Sequence, residues 1–277
     1  MARLAFVPKD QLTSTEKAWS SSRKLAAILL ATVIVVAVDA FWIEPYRVQV
    51  SQHRFLMPLS RPIRIAHLSD LHTHGFGRRE CDVVARLAES APDLIVVTGD
   101  SIAGDGTWTE VESTLKELRA PLGVWGVEGN WEHWRREAGV HPSQETVLHD
   151  LTNANARIRD DLWLVGLDDS LAGAPDVTRA FAGVPAGANV IVLVHSPIGV
   201  RVVQGRARLV LAGHTHGGQI RWPWGSPLWL PPGSGQFVEG TYDLGGTTLF
   251  VSRGLGNSIL DARLFCPPEI AIFDIGP

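Results

Sequence analysis

Apolar positions fall into two unlike arrangements along this chain. Residues 25–43, LAAILLATVIVVAVDAFWI, are apolar except at Thr32 and Asp39. From residue 62 the pattern changes to short apolar runs alternating with amphipathic ones. PIRIAHL (62–68) reads as a strand ending at Ser69-Asp70, and RRECDVVARLAES (78–90) has helical spacing, with Val83, Val84, Leu87 and Ala88 on one face. PDLIVVTGD (92–100) predicts a strand ending in Gly-Asp. TWTEVESTLKELRA (107–120) predicts an amphipathic helix with Thr107 or Thr109 as its N-cap, and LGVWGV (122–127) a strand running into Gly129-Asn130. Further strands are expected over DLWLVGLDD (161–169), ANVIVLVHSP (188–197), RLVLAGHTHGG (208–218), TTLFVSR (247–253) and EIAIFDI (269–275). Strands alternate with helices and then dominate. That order predicts an α/β fold, a two-sheet core with helices on its outer faces.

As a helix, the first arrangement spans roughly 28 Å, close to a hydrocarbon core of about 30 Å. Arg23 and Lys24 precede it, and Trp42 and Tyr46 stand at its far end, where interfacial aromatics lie. The expectation is a single-pass anchor over 25–43, in a bacterial inner membrane, after a polar tail over 1–24. A buried core helix is the plain alternative, but no face of the segment is polar. A cleaved signal peptide is a second one, and Val38-Asp39-Ala40 is a poor small-residue cleavage site. Lys17, Arg23 and Lys24 before the segment barely outweigh Arg47 and Arg54 after it, so the side holding the rest of the chain stays open.

Composition narrows the function. A chain of 277 residues can bury a full core. Its net charge of −4 gives no reason to expect nucleic acid as a partner. Cys81 and Cys266 lie far apart, without disulfide-framework or metal-ligand spacing.

Chemistry gathers at the strand ends. Five apolar strands terminate in metal-competent residues: Asp70 with His72, Asp100, Asn130, His195, and His214 with His216. In open α/β folds ligands collect beyond the carboxyl ends of strands, where such groups would meet. Two Asp, one Asn and four His supply oxygen and imidazole donors without thiolate, a mixture suited to Mn, Fe, Zn or Mg ions. Seven donors exceed one tetrahedral ion and suffice for two if one carboxylate bridges.

The series SDLH (69–72), TGD (98–100), GNWE (129–132), VHSP (194–197) and GHTHGG (213–218) resembles the motifs of the calcineurin-like metallophosphoesterase superfamily over roughly residues 62–277. FGRRE (76–80), GHTHGGQIR (213–221), VSRGLGNS (251–258) and CPPEI (266–270) resemble its membrane-associated branch of YaeI/YkuE-type phosphodiesterases, which also contains a UDP-2,3-diacylglucosamine pyrophosphatase of the lipid A pathway. The resemblance implies a four-layer α-β-β-α sandwich as a catalytic domain over 62–277. It implies two divalent ions, one held by Asp70, His72 and His216 and the other by Asn130, His195 and His214, with Asp100 bridging. A hydroxide between them would attack phosphorus in line.

One position departs from that pattern. Relatives carry a histidine after the asparagine, and here Trp131 stands there, which can donate a hydrogen bond but not exchange a proton near neutral pH. The leaving group needs little protonation, or His133 or His74 substitutes as the acid, or the site turns over slowly. The favoured expectation is the first, with His133 as a secondary catalytic residue beside Asp100 and Asn130. Arg78, Arg79 and Arg253, whose guanidinium matches phosphate geometry, are candidate substrate contacts together with Trp131, the plain alternative being solvated or structural arginines. IRWPWGSPLWLPPG (220–233) adds Trp222, Trp224, Leu228, Trp229 and Leu230, either a folded apolar loop or a surface for lipid. The expected function is hydrolysis of a phosphodiester or diphosphate, lipid-linked or small, at a membrane. The alternatives are a broad cell-envelope phosphodiesterase and a metal-stabilised membrane scaffold.

Overall fold

The computed structural model describes residues 14–141 and 146–277, with side chains from residue 21. Helix α1, Ser14–Val38, continues through a π-helical turn, Asp39–Ile43, and a 3₁₀ turn, Glu44–Tyr46. The expected tail over 1–24 lies outside the described residues as far as 13, and from Ser14 onward the chain is helical. Within Ser21–Tyr46 the most apolar 18-residue window has a mean hydropathy of 2.5, and the stretch is long and apolar enough to cross a membrane.

Two six-stranded mixed sheets follow. The first has the order β1-β12-β2-β3-β4-β5, built from β1 (Gln49–Leu56), β2 (Ile63–Leu68), β3 (Leu94–Thr98), β4 (Val124–Val127), β5 (Leu148–Asp150) and β12 (Glu269–Gly276). The second has the order β10-β11-β9-β8-β7-β6, from β6 (Ala154–Arg159), β7 (Leu162–Gly166), β8 (Val190–Leu193), β9 (Leu209–Ala212), β10 (Gly240–Asp243) and β11 (Thr248–Val251). Strands β2 to β5 run parallel, as do β7, β8, β9 and β11. Their carboxyl ends therefore open on one side of each sheet.

The inner faces of the sheets pack against each other. Ile63, Ile65, Leu94, Val96 and Phe273 of the first meet Leu164, Ile191, Leu193, Leu211 and Phe250 of the second. Both faces of the parallel strands are covered, which is why they read as continuous apolar runs. Helix α2 (Arg78–Ser90) and helix α3 (Trp108–Leu115) lay Val83, Leu87, Val111 and Leu115 on the outer face of the first sheet. Ala180, Val200 and Val203 cover that of the second. The result is the four-layer α-β-β-α arrangement.

Three boundaries differ from the sequence pattern. The domain does not begin at residue 62: β1 pairs in parallel with β12 from Gln49↔Glu269 to Leu56↔Gly276, so the first sheet reaches back almost to the end of the apolar helix. Helix α3 covers 108–115 of the expected 107–120, because the chain leaves the helix in tight turns at Glu117 and Leu118. An unforeseen helix α4, Asn130–Glu137, starts at the strand-end asparagine.

Candidate metal centre

Three of the five strand ends carry their donors into the cleft between the sheets by an unusual backbone turn. Asp70, His72, Asp100, His214 and His216 all have positive φ, at 51°, 38°, 52°, 72° and 50°. Non-glycine residues occupy this region at a cost, and such strain concentrates at functional sites. Close packing keeps it in place. Asp70 accepts the His214 N–H at 2.9 and 3.0 Å, and a Cβ on Gly213 would run into Ser69 Oγ and the Asp70 carboxylate.

Seven donors from five strand ends converge. Asp70, His72 and His216 form one buried group and Asp100, His195 and His214 another, with ligand atoms inside each group within 4.8 Å of one another. Asp100 Oδ2 lies 3.1 Å from His195 Nε2 and 3.7 Å from His72 Nε2, so it faces both groups. Asn130 Oδ1 lies 3.1 Å from His195 Nε2. His72 Nε2 and His216 Nε2 stand 3.2 Å apart with their rings stacked.

Three imidazoles are oriented by backbone carbonyls on their far side. His72 Nδ1–H donates to Ile102 O at 3.2 Å, His195 Nδ1–H to Thr98 O at 2.8 Å, and His214 Nε2–H to Pro232 O at 2.6 Å. His72 and His214 then turn an unprotonated nitrogen toward the cleft, the arrangement that orients a metal-bound histidine. On His195 burial acts downward, but the Asp100 carboxylate outweighs it and raises the pKa well above the usual range. Burial keeps His72 neutral, lowering its pKa to about 4, and takes His216 well below the usual range. Burial also pushes Asp70 up to about 7, reinforced by the Asp100 carboxylate. On Asp100 burial acts upward too, but the His195 imidazole beside it prevails and brings the carboxyl down to about 2. Among the described residues no Lys or Arg nitrogen pairs with either carboxylate. Buried donors facing one another with no Lys or Arg paired to the carboxylates are a set matched to divalent cations. The centre therefore offers two candidate metal sites.

The loops are held by a residue whose part the sequence pattern did not reveal. Glu132, in the first turn of α4, accepts N–H groups from Asp100 (2.8 Å), Ser101 (2.6 Å), Ile102 (3.3 Å) and Gly129 (2.8 Å). Its carboxylate thus ties the turn after β3 to the turn after β4. The signal was present in the spacing, since a Glu three residues after a helix N-cap is a capping-box residue.

An apolar cavity of about 390 Å³ opens over the donors. Asp100, Asn130, His214 and His216 line it together with Trp131, Trp134, Ile220, Leu228, Trp229 and Leu260. Trp131 meets the His72 ring edge-on at 5.8 Å between centroids, and its N–H at the backbone donates to Asp100 Oδ1 at 2.9 Å. The other expected contacts lie elsewhere. His133 is bonded to Asp168 at 2.6 Å, which raises its pKa, and does not line the cavity. Arg79 is engaged by Glu80 and by Leu71 O. Arg253 sits behind the His216 loop, 3.5 Å from Glu269 and 3.7 Å from Glu239. Arg78 lies over the Tyr46 ring, 5.1 Å from its centroid, and lines a neighbouring cavity with His72 and His74. Charged partners therefore bond Arg79 and His133 within the fold and neutralise Arg253, whose Nε is buried without a hydrogen-bond acceptor among the described residues, which sequence spacing alone could not reveal.

Comparison with known proteins bears on the same residues. The calcineurin-like phosphoesterase profile matches residues 63–218. The metallophosphoesterase YkuE of Bacillus subtilis is 30% identical over 252 residues, covering 85% of this chain and 88% of that protein. Phosphodiesterase YaeI of Escherichia coli is 28% identical over 268 residues, covering 89% and 97%. A Bos taurus transmembrane protein with a metallophosphoesterase domain is 29% identical over 282 residues, covering 90% of this chain and 62% of the relative.

Proposed function

The chain belongs to the calcineurin-like phosphoesterase family and is a hydrolase, and from that premise we propose that it is a membrane-anchored enzyme cleaving a diphosphate or activated phosphodiester in an amphiphilic substrate. The observation that carries the reading is the pair of buried donor groups facing one Asp100 carboxylate at the floor of an apolar cavity. In this reading Asp70, His72 and His216 hold one divalent cation, Asn130, His195 and His214 hold the other, and Asp100 lies between them. Bound there, two divalent cations polarise a phosphoryl group and activate water at neutral pH.

The chain's own residues select the leaving group. Every titratable side chain lining the cavity is one of the proposed ligands. Trp131 can donate its indole N–H but cannot deliver a proton. A leaving group must therefore depart as a weak base, as a nucleotide phosphate does from a diphosphate and an alkoxide does not. The test is hydrolysis of a chromogenic bis-aryl phosphate. Activity should require added Mn²⁺ and stop with a chelator, and dialkyl phosphates should turn over roughly a hundredfold slower or worse, the usual contribution of a general acid. Comparable rates on both classes would refute the leaving-group argument and favour a broad phosphodiesterase. No metal-dependent hydrolysis of any ester would favour the scaffold.

Apolar surface supports the lipid-facing part of the proposal, with UDP-2,3-diacylglucosamine one substrate of the required chemistry. Trp224 is 71% exposed and stacks on the exposed Trp222, and Ile259 is 86% exposed on the adjoining loop. Ile220 and Leu260 line both the cavity over the donors and an apolar groove of about 420 Å³ against Val33, Val36 and Phe41 of the N-terminal helix. Apolar wall is thus continuous from the proposed anchor to the metal centre. Replacing Trp222, Trp224 and Trp229 by serine in a chain lacking residues 1–38 should weaken liposome partition on the order of tenfold or more, since each buried apolar side chain contributes above 1 kcal/mol. Unchanged partition in a co-sedimentation assay would remove the surface from the proposal.

A further inference from the structure

The end of the N-terminal helix is hydrogen-bonded into the same strap of chain that backs one of the two donor groups. Ala40 and Glu44 belong to the π and 3₁₀ turns that close the helix, and both are buried against the domain. The Ala40 carbonyl accepts the Arg263 N–H at 2.9 Å, and the Glu44 carboxylate accepts the Cys266 N–H. These two contacts hold residues 263–266 from the membrane side.

The other side of that strap faces the metal centre. The Cys266 thiol donates to His216 O at 3.2 Å. The Arg263 side chain is wholly buried; its guanidinium donates to Gly256 O at 2.6 Å, to Cys266 O at 2.9 Å and to Arg253 O at 3.0 Å, and it lies 3.5 Å from His216 Nδ1. Gly256 N–H in turn donates to Asp70 O at 2.6 Å. The strap therefore touches His216 directly and reaches Asp70 through Gly256, and both belong to the Asp70–His72–His216 group. The second group is held by other means: His195 by Thr98 O, His214 by Pro232 O, and the Asp100 turn by Glu132.

We infer that Glu44 and Ala40 are positioning residues for the His216 side of the metal centre, so that the end of the proposed anchor is part of the enzyme's metal-binding apparatus and not only a tether. The inference rests on the dinuclear reading above. Removing the Glu44 acceptor frees the Cys266 backbone, lets the 263–266 strap shift, and loosens His216 while leaving Asp100, His195 and His214 in place. Loss of such an outer support costs roughly 10- to 100-fold in metal affinity.

The experiment uses the full chain in detergent and Mn²⁺ as probe. Wild-type protein should take up two ions and give the spin-coupled electron paramagnetic resonance signal of a manganese pair. Glu44→Ala should retain one tight ion with a mononuclear signal, the second binding 10- to 100-fold more weakly. Glu44→Gln, whose amide oxygen still accepts from Cys266 N–H, should restore the coupled signal. Should Glu44→Ala not fold, Glu44→Asp, one methylene too short to reach, serves in its place. Two ions at unchanged affinity in the variant would overturn the inference, as would equal weakening of both in a folded protein. Absence of a coupled pair in the wild type would instead overturn the dinuclear reading itself.

Discussion

Asp100→Asn is expected to lower the Mn²⁺-dependent hydrolysis of a bis-aryl phosphate by about three orders of magnitude, equivalent to roughly 4 kcal/mol of transition-state stabilisation. The substitution is nearly isosteric. The amide oxygen can still accept the Trp131 N–H that Asp100 Oδ1 accepts at 2.9 Å, so the turn after β3 should keep its shape. What changes is Oδ2, 3.1 Å from His195 Nε2 and 3.7 Å from His72 Nε2. An NH₂ group there cannot take the place of a carboxylate oxygen beside the two imidazoles, and the one negative charge facing both donor groups is gone. Initial rates with metal content measured by atomic emission, and circular dichroism as a check on folding, decide the matter. A folded variant that retained activity within about tenfold of wild type, against the roughly thousandfold loss expected, would remove Asp100 from the shared position.

Glu132→Ala should act on stability as well as on rate. Its carboxylate satisfies four backbone N–H groups in a site from which water is excluded. Buried donors left without acceptors cost about 1–3 kcal/mol each, offset in part by relaxation and by water entering the gap. A net loss of about 4 kcal/mol follows, or roughly 10 °C in Tm for a domain of this size. The strained turn at Asp100 would relax once its N–H is free, and activity should fall with it. Thermal melts followed by circular dichroism read the first effect. A Tm within about 2 °C of wild type, the shift of about 0.8 kcal/mol, would mean that the two turns are held by something other than Glu132.

The strand ends were legible because a strand's apolar run and the polar residue that follows it are local features. Strands β3, β8 and β9 are buried and almost wholly apolar, and β2 is so apart from Arg64 and His67, so they announced themselves, and the Asp and His residues after them stood out by contrast. Helix α2 matched its spacing over Arg78–Ser90 because Val83 and Leu87 face the sheet one turn apart. Strand β1 was not legible: QVSQHRFL carries polar residues, and its partner among the described residues is β12, more than 200 residues further along the sequence. Nor could spacing reveal which charged residues are consumed by the fold. Arg253 answers to Glu269 and Glu239, His133 to Asp168, and Glu132 to backbone from a different loop. Those partnerships depend on tertiary contacts, as do the positive φ values at five of the proposed ligands.

The position of β12 has a consequence for biogenesis. It is inserted between β1 and β2, antiparallel to one and parallel to the other, so the seam of the first sheet is sealed by residues 269–276. During translation the apolar helix and β1 leave the ribosome well before β12, and neither β1 nor the facing edge of β2 finds its ladder partner until those residues emerge. The nascent chain thus passes through an interval with two open β-edges, rows of unpaired backbone groups that template pairing with another chain.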